Sequence, residues 1–189
     1  YHPRARRELE RFYARADTLS LGVCNGCQVM MALELIESDP RRAPVMCHNH
    51  SQKFESIFVT VDVCPTNSIM LKSLVGSRLG IWVAHGEGRF SFPEEDETYY
   101  DLPLKYSNVL YPFNPNGSDF KAAAVASADG RHLAMMPHLE RSIFSWQWPY
   151  KGKNLELSRM EFTPWLLAFV SARQWIERRL NSVQIEGRS

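Results

Sequence analysis

Cys24 sits in the run Gly22-Val23-Cys24-Asn25-Gly26-Cys27-Gln28. The apolar stretch before it, Leu19 to Val23, reads as a buried strand, and Gln28 to Glu37 is dense in helix formers. A nucleophile at a sharp strand-to-helix turn has its side chain pushed out at the C-terminal edge of a sheet. Its backbone is strained, and small residues two positions before and after relieve the crowding. Gly22 and Gly26 hold those two positions. The N–H groups at the helix start favour a thiolate, and the first of them, on Asn25, is placed to stabilise an oxyanion. These residue types predict a cysteine nucleophile at position 24.

A thiol nucleophile needs a base and a group that orients the base. His138 and Glu140 form a candidate pair in Pro137-His138-Leu139-Glu140. In extended backbone, residues two apart project to the same side, so the carboxylate can hold one imidazole nitrogen while the other faces the thiol. His2, His48, His50 and His132 have no acidic partner at matching spacing. His85 opens His85-Gly86-Glu87-Gly88-Arg89, whose alternating glycines would let the backbone approach a ligand closely; a tight turn would use them equally well.

Other chemistries use some of the same residues. Cys24-x-x-Cys27 has the spacing of a redox pair, but that motif gives no reason for glycines at positions 22 and 26. Cys24, Cys27, Cys47, His48 and His50 include half of a zinc pattern, but the second half lacks the usual spacing. A cysteine that only packs in the core is common, and Cys27, facing into the new helix, is expected to be one. Two further readings stay open: another Cys-His hydrolase or peptidase of the same architecture, and a binding module that docks a partner through aromatic segments around Tyr99 to Phe113 and Trp146 to Tyr150.

The surrounding elements have to present these groups. Glu8 to Arg15 reads as the end of a charged helix, broken at Asp17-Thr18. Asp39-Pro40 ends the helix after Cys24. Phe54 to Val63 and Leu79 to Ala84 read as strands, with a short helix between them at Ile69 to Val75. Glu94 to Tyr111 is acidic and aromatic, and Asn114 to Ser118 is a turn cluster. Asp129-Gly130 between Ala122–Ala126 and Arg131–Met136 predicts a hairpin. Phe162 to Leu180 has the apolar face of a closing helix. The expectation is one α/β unit with a mixed sheet. A functional turn on a doubly wound sheet normally follows a central strand, so one or more βα units are expected ahead of Leu19.

Composition narrows the function classes. The chain has 189 residues, and its 22 Lys+Arg against 21 Asp+Glu leave a net charge of +1. With 44% hydrophobic and 23% charged residues it resembles an ordinary globular domain, not a disordered chain. That balance disfavours nucleic-acid binding, which needs excess positive charge to displace counterions from phosphates. The longest uncharged run, Thr18 to Leu33, is too short and too polar to span a membrane, and Tyr1 to Arg7 lacks the apolar stretch of a secretory signal. Four cysteines are too few for a disulfide scaffold, so the cytoplasm is the expected location. Residues 181–189 read as a flexible tail ending in a linker-like Ile185-Glu186-Gly187-Arg188-Ser189.

Gly22-x-Cys24-x-Gly26-x-Gln28 followed by His138-x-Glu140 resembles the class I, triad-type glutamine amidotransferases. The finer match is to the C-terminal glutaminase domains of the phosphoribosylformylglycinamidine synthases. It rests on Leu21 to Gln28, Ala84 to Gly88, Asn114 to Ser118 and Asp129 to His138, with Arg141–Trp148 and Thr163–Trp175 fitting the end, and covers nearly the whole chain. It implies a flavodoxin-like fold in which Cys24, His138 and Glu140 form the triad. It also implies that Gln28 lies near bound glutamine, where the backbone of His85, Gly86 and Glu87 is placed as well, beside the Asn25 N–H. No cofactor or metal is expected in this segment; ATP and magnesium belong to the synthetase part of the same polypeptide, which would take up the ammonia for purine synthesis. In two respects the segment differs from the family. Leu139 stands where many members have proline, and the upstream glycine-rich segment that donates part of the oxyanion hole is missing. Residues 1–180 are therefore expected to be the C-terminal portion of the domain, nearly inactive alone.

Overall fold

The structure, a computed structural model, describes residues 2–37, 39–150 and 159–186. Helix α1, Pro3–Ala14, starts well before Glu8, with Pro3 in the first turn, where a missing N–H costs nothing. It buries none of its residues. Arg131 holds its end by donating to the carbonyls of Arg15, Thr18 and Tyr13.

Strand β1, Ser20–Val23, leads through Cys24 directly into helix α2, Asn25–Ala32. The helix therefore starts earlier than Gln28 and ends well short of Glu37. It stops because Glu34 turns left-handed, at φ 56°. The Leu35 N–H then bonds Met30 O, and the Glu34 N–H bonds Met31 O, each over 3.0 Å. This is a Schellman closure made without glycine, and Leu35 and Met30 belong to the same apolar cluster.

The remaining strands are β2, Val45–Cys47; β3, Glu55–Val63; β4, Arg78–His85; β5, Arg89–Ser91; β6, Asp101–Tyr106; β7, Ala122–Ala126; and β8, His132–Met135. Six of them form one sheet in the order β1-β8-β7-β6-β3-β4, so β1 lies at one edge and β4 at the other. Among the described residues, only β1 and β8 run parallel. The expected hairpin is β7–β8, with Gly130 at φ 72°. The short helix expected at Ile69 to Val75 is only a 3-10 turn, Lys72–Leu74. β2 and β5 pair as a separate two-stranded sheet that sequence reading does not anticipate.

Both faces of the large sheet are covered. Along β8, Leu133 and Met135 face a core shared with Val61, Leu71, Ile81 and Trp165. Ala134 and Met136 face the other way, into a cluster with Cys27, Met30, Met31 and Phe90 beneath α2. This is the period-two alternation of a strand buried on both sides. Helix α3, Leu166–Glu186, passes the expected boundary at Leu180 because no glycine or proline interrupts the chain before Gly187. Gly187 to Ser189 of the expected tail lie outside the described residues. Among the described residues no helix is long and apolar enough to cross a membrane.

Candidate active site

Cys24 occupies the strand-to-helix turn with φ 51° and ψ −105°, a strained conformation for any residue with a side chain. Two backbone bonds fix it. The Cys24 N–H donates to Met135 O over 2.9 Å, and the Gln28 N–H donates to Cys24 O over 3.0 Å. The first continues the β1–β8 pairing and the second opens α2. A Cβ on Gly22 would stand 2.1 Å from Met30 Sδ and 2.8 Å from Gly26 O, so the turn needs glycine there. Gly26 is different: a Cβ at that position would meet nothing within 4 Å. Of the two small residues expected to relieve the elbow, only Gly22 does so.

The Cys24 thiol donates to Ala84 O of β4 over 3.7 Å. The same strand carries the base, because the His138 N–H donates to Trp82 O over 2.7 Å in an isolated bridge between the two residues. Trp82 and Ala84 are two apart along β4, which brings the thiol and the His138 backbone to one end of one strand. His138 Nδ1 lies 2.6 Å from Glu140 Oε1, and His138 Nε2 is buried with no hydrogen-bond partner among the described residues. The pair meets as expected but not through extended backbone: Leu139–Arg141 is a 3-10 turn with His138 as its N-cap. Leu139 is fully buried in the main core, so apolar packing anchors the turn where a proline ring is absent.

Burial pushes the Cys24 thiol above its ordinary value; the Asn25 N–H and the Arg141 charge pull it back only in part, and Glu140 adds to the rise. A helix-start thiolate, as expected from position alone, is thus not the resting state, because desolvation outweighs one short helix's N–H groups. Burial would raise the Glu140 carboxyl too. There the hydrogen bond to His138, Glu140's own N–H and the His138 and Arg141 charges prevail and hold it below the usual carboxylate range. Glu140 therefore stays ionised and fixes the imidazole by accepting at Nδ1.

Residues 85–88 lie next to this pair. His85 is buried, its two ring nitrogens have no partner among the described residues, and burial with the nearby His138 lowers it to about 4. The His85 ring itself requires glycine at position 88: a Cβ there would fall 2.1 Å from the ring. Gln28 Nε2 donates to Glu87 O over 2.7 Å, tying α2 to the segment. Asn25, Gln28 and Glu87 line a cleft of about 510 Å³ with Val29, Val45 and Met46. Cys24 is outside that wall and faces Ala84.

Asn49, which sequence reading does not single out, and Asn116, within the Asn114–Ser118 motif, shape the segment. Asn49 donates to His85 O and Lys53 O and accepts from the Gly88 N–H, while its own N–H bonds Gly86 O. Asn116, from the turn cluster, donates to Gly88 O over 2.6 Å, and Ser118 Oγ accepts from the Phe90 N–H. The Asn114–Ser118 cluster is legible as a turn and as part of the resemblance, but neither says which groups it holds, and Asn49 has no local signal.

Cys24, Cys27, Cys47 and Cys64 are all free thiols. Cys27 is fully buried and its thiol pushed far up by burial, as fits packing and not a redox partner. No group of three metal-ligating side chains occurs among the described residues.

Residues 1–176 match the CobB/CobQ-like glutamine amidotransferase domain. The chain is 44% identical over 187 residues to a probable phosphoribosylformylglycinamidine synthase, chloroplastic/mitochondrial, of Arabidopsis thaliana, covering 90% of this chain and 13% of that protein. It is 40% identical over 200 residues to the phosphoribosylformylglycinamidine synthase of Homo sapiens, covering 93% of this chain and 15% of that protein. The chain thus spans 13% and 15% of the lengths of these two relatives. In fold it is similar to the structure of PurLQS from Thermotoga maritima, with a TM-score of 0.64 and 22% identity over 90% of this chain and 65% of that one.

Proposed function

The chain belongs to the CobB/CobQ-like glutamine amidotransferase domain family, and from that membership we propose that Cys24, His138 and Glu140 hydrolyse glutamine through a thioester. The observation that carries the reading is the arrangement on β4: the Cys24 thiol bonds Ala84 O, and the His138 backbone, whose ring is held by Glu140, bonds Trp82 O.

The thiol rests protonated, so the reaction begins with proton transfer. His138 Nε2 takes the Cys24 proton as the sulfur attacks the side-chain amide carbon of glutamine. The carbonyl oxygen becomes an oxyanion facing the Asn25 N–H. Collapse breaks the C–N bond, and the imidazolium gives its proton to the departing nitrogen, which leaves as ammonia. His138 then removes a proton from water. The resulting nucleophile attacks the thioester, glutamate departs and the thiol regains its proton. Glu140 stays ionised and stabilises the imidazolium in both halves. Gln28, His85, Gly86 and Glu87 form the surroundings of the bound glutamine, with Gln28 braced against Glu87 O.

The relatives' names support a destination for the ammonia. In the longer polypeptide it passes to a synthetase part that uses ATP and magnesium to convert formylglycinamide ribonucleotide to formylglycinamidine ribonucleotide. Four free thiols support a reducing compartment, which we take to be the cytoplasm.

The test uses the full-length polypeptide. Diazo-oxo-norleucine is expected to label Cys24. Cys24→Ala is expected to abolish both the label and glutamine-dependent synthesis while leaving ammonium-driven synthesis intact. Undiminished glutamine-dependent turnover in that variant would overturn the reading.

A further inference from the structure

Six consecutive residues after β6, Asn108 to Phe113, are exposed, and the next three, Asn114 to Asn116, are buried. Val109, Leu110 and Tyr111 are 64%, 66% and 64% exposed and Phe113 is 50% exposed, making four large apolar side chains within five residues. The segment is an ordered turn. The Leu110 N–H bonds Asn108 Oδ1, and the N–H groups of Phe113 and Asn114 both bond Leu110 O. A groove of about 480 Å³ separates Val109 and Tyr111 from His50, Ser51 and Lys53. Ser51 Oγ is buried there with no hydrogen-bond partner, and Lys53 has no ion-pair partner, among the described residues. A preformed apolar knob beside an unpaired cation and an orphaned hydroxyl has the chemistry of an interface.

We infer that this knob and groove are where the ammonia-accepting remainder of the longer polypeptide docks, an inference that rests on the proposed glutaminase reaction for the nature of its occupant. Three observations favour that occupant. The chain spans only 13% and 15% of the two relatives' lengths, so most of such a polypeptide lies outside it. The groove is tied to the segment beside the site: the N–H of His50, in its wall, bonds Asn116 O, Asn116 bonds Gly88 O, and Asn49 bonds Gly86 O. Ammonia protonates in bulk water, so the unit that accepts it must seat close to where it is released. The docking surface it presents is apolar, with a carboxylate to meet Lys53.

The experiment places the photo-crosslinking residue benzoylphenylalanine at Tyr111 of the full-length polypeptide. A crosslink within one chain to residues outside this segment is expected. A crosslink between two copies, or one confined to the segment itself, overturns the inference. In parallel, Leu110→Asp and Lys53→Glu are expected to lower glutamine-dependent synthesis at least tenfold, leaving ammonium-driven synthesis and diazo-oxo-norleucine labelling of Cys24 unchanged. Unaltered glutamine-dependent synthesis in both variants overturns the docking. Failure of the parent enzyme to label at Cys24 counts against the glutaminase reading instead, while the crosslink still decides where the surface docks.

Discussion

Gly22 and Met30 are packed so closely that a Cβ on the glycine would stand 2.1 Å from the Met30 sulfur. The same Cβ would press on the Gly26 carbonyl at 2.8 Å, and backbone cannot swing aside as a thioether can. Gly22→Ala is therefore expected to cost about 1–3 kcal/mol, the usual range for overpacking, and to displace the elbow enough to slow Cys24 labelling. Gly26→Ala, with open space around it, is expected to leave stability unchanged or raise it by up to about 1 kcal/mol, since it lies within α2. Urea unfolding of the two variants side by side checks the asymmetry; equal destabilisation would contradict it.

The Cys24 thiol is raised by burial, so its alkylation reports a proton that is hard to remove. With iodoacetamide, and Cys24 followed by peptide mass, the rate is expected to stay low at neutral pH and to rise with an inflection above the ordinary value of 9.0. An inflection below neutral pH would restore the preformed thiolate and remove the need for His138 to act first.

That contrast marks the limit of what the residues disclose by themselves. The elbow at Cys24 and the partnership of His138 with Glu140 are legible because a strand-to-helix turn and an i, i+2 pair leave local signatures. The thiol's ionisation is set mainly by burial, and neither that burial nor the bond to Ala84 O, sixty positions away, is carried by a local pattern. Strand β6 is hidden for a different reason: Pro103 and Asp101 interrupt its alternation, and its pairing with β7 has register shifts. Strands β2 and β5, three residues each, are too short for any periodicity to register.

His85 is neutral down to about pH 4 in the folded chain, against an ordinary value of 6.5, with burial as the larger cause and His138 as the second. Between those values the unfolded state binds a proton that the folded state excludes. The contribution of this residue is therefore complete above 6.5 and declines as the pH falls towards 4, by roughly 3 kcal/mol at the lower end. His85→Gln removes the titrating group, so its unfolding free energy is expected to fall less than the parent's between about pH 7 and about pH 4.5. Identical acid losses in the two chains would mean that His85 is not buried as described.

Asn49 decides whether the segment around Glu87 is held or free. Its side chain serves three backbone groups at once, accepting from the Gly88 N–H and donating to His85 O and Lys53 O. Asn49→Ala leaves all three without that partner, and an orphaned buried polar group costs about 1–3 kcal/mol. Part of that cost is relieved if residues 85–88 shift, and a shift moves Glu87 O away from Gln28 Nε2. The groups that move are those proposed to surround glutamine, whereas Cys24, His138 and Glu140 are held by separate bonds to Met135, Trp82 and each other. The expected result is a KM for glutamine raised roughly tenfold or more, the equivalent of about 1.4 kcal/mol, with kcat changed far less. A fall in kcat at unchanged KM would instead mean that the clamp acts on the triad and that glutamine binds elsewhere.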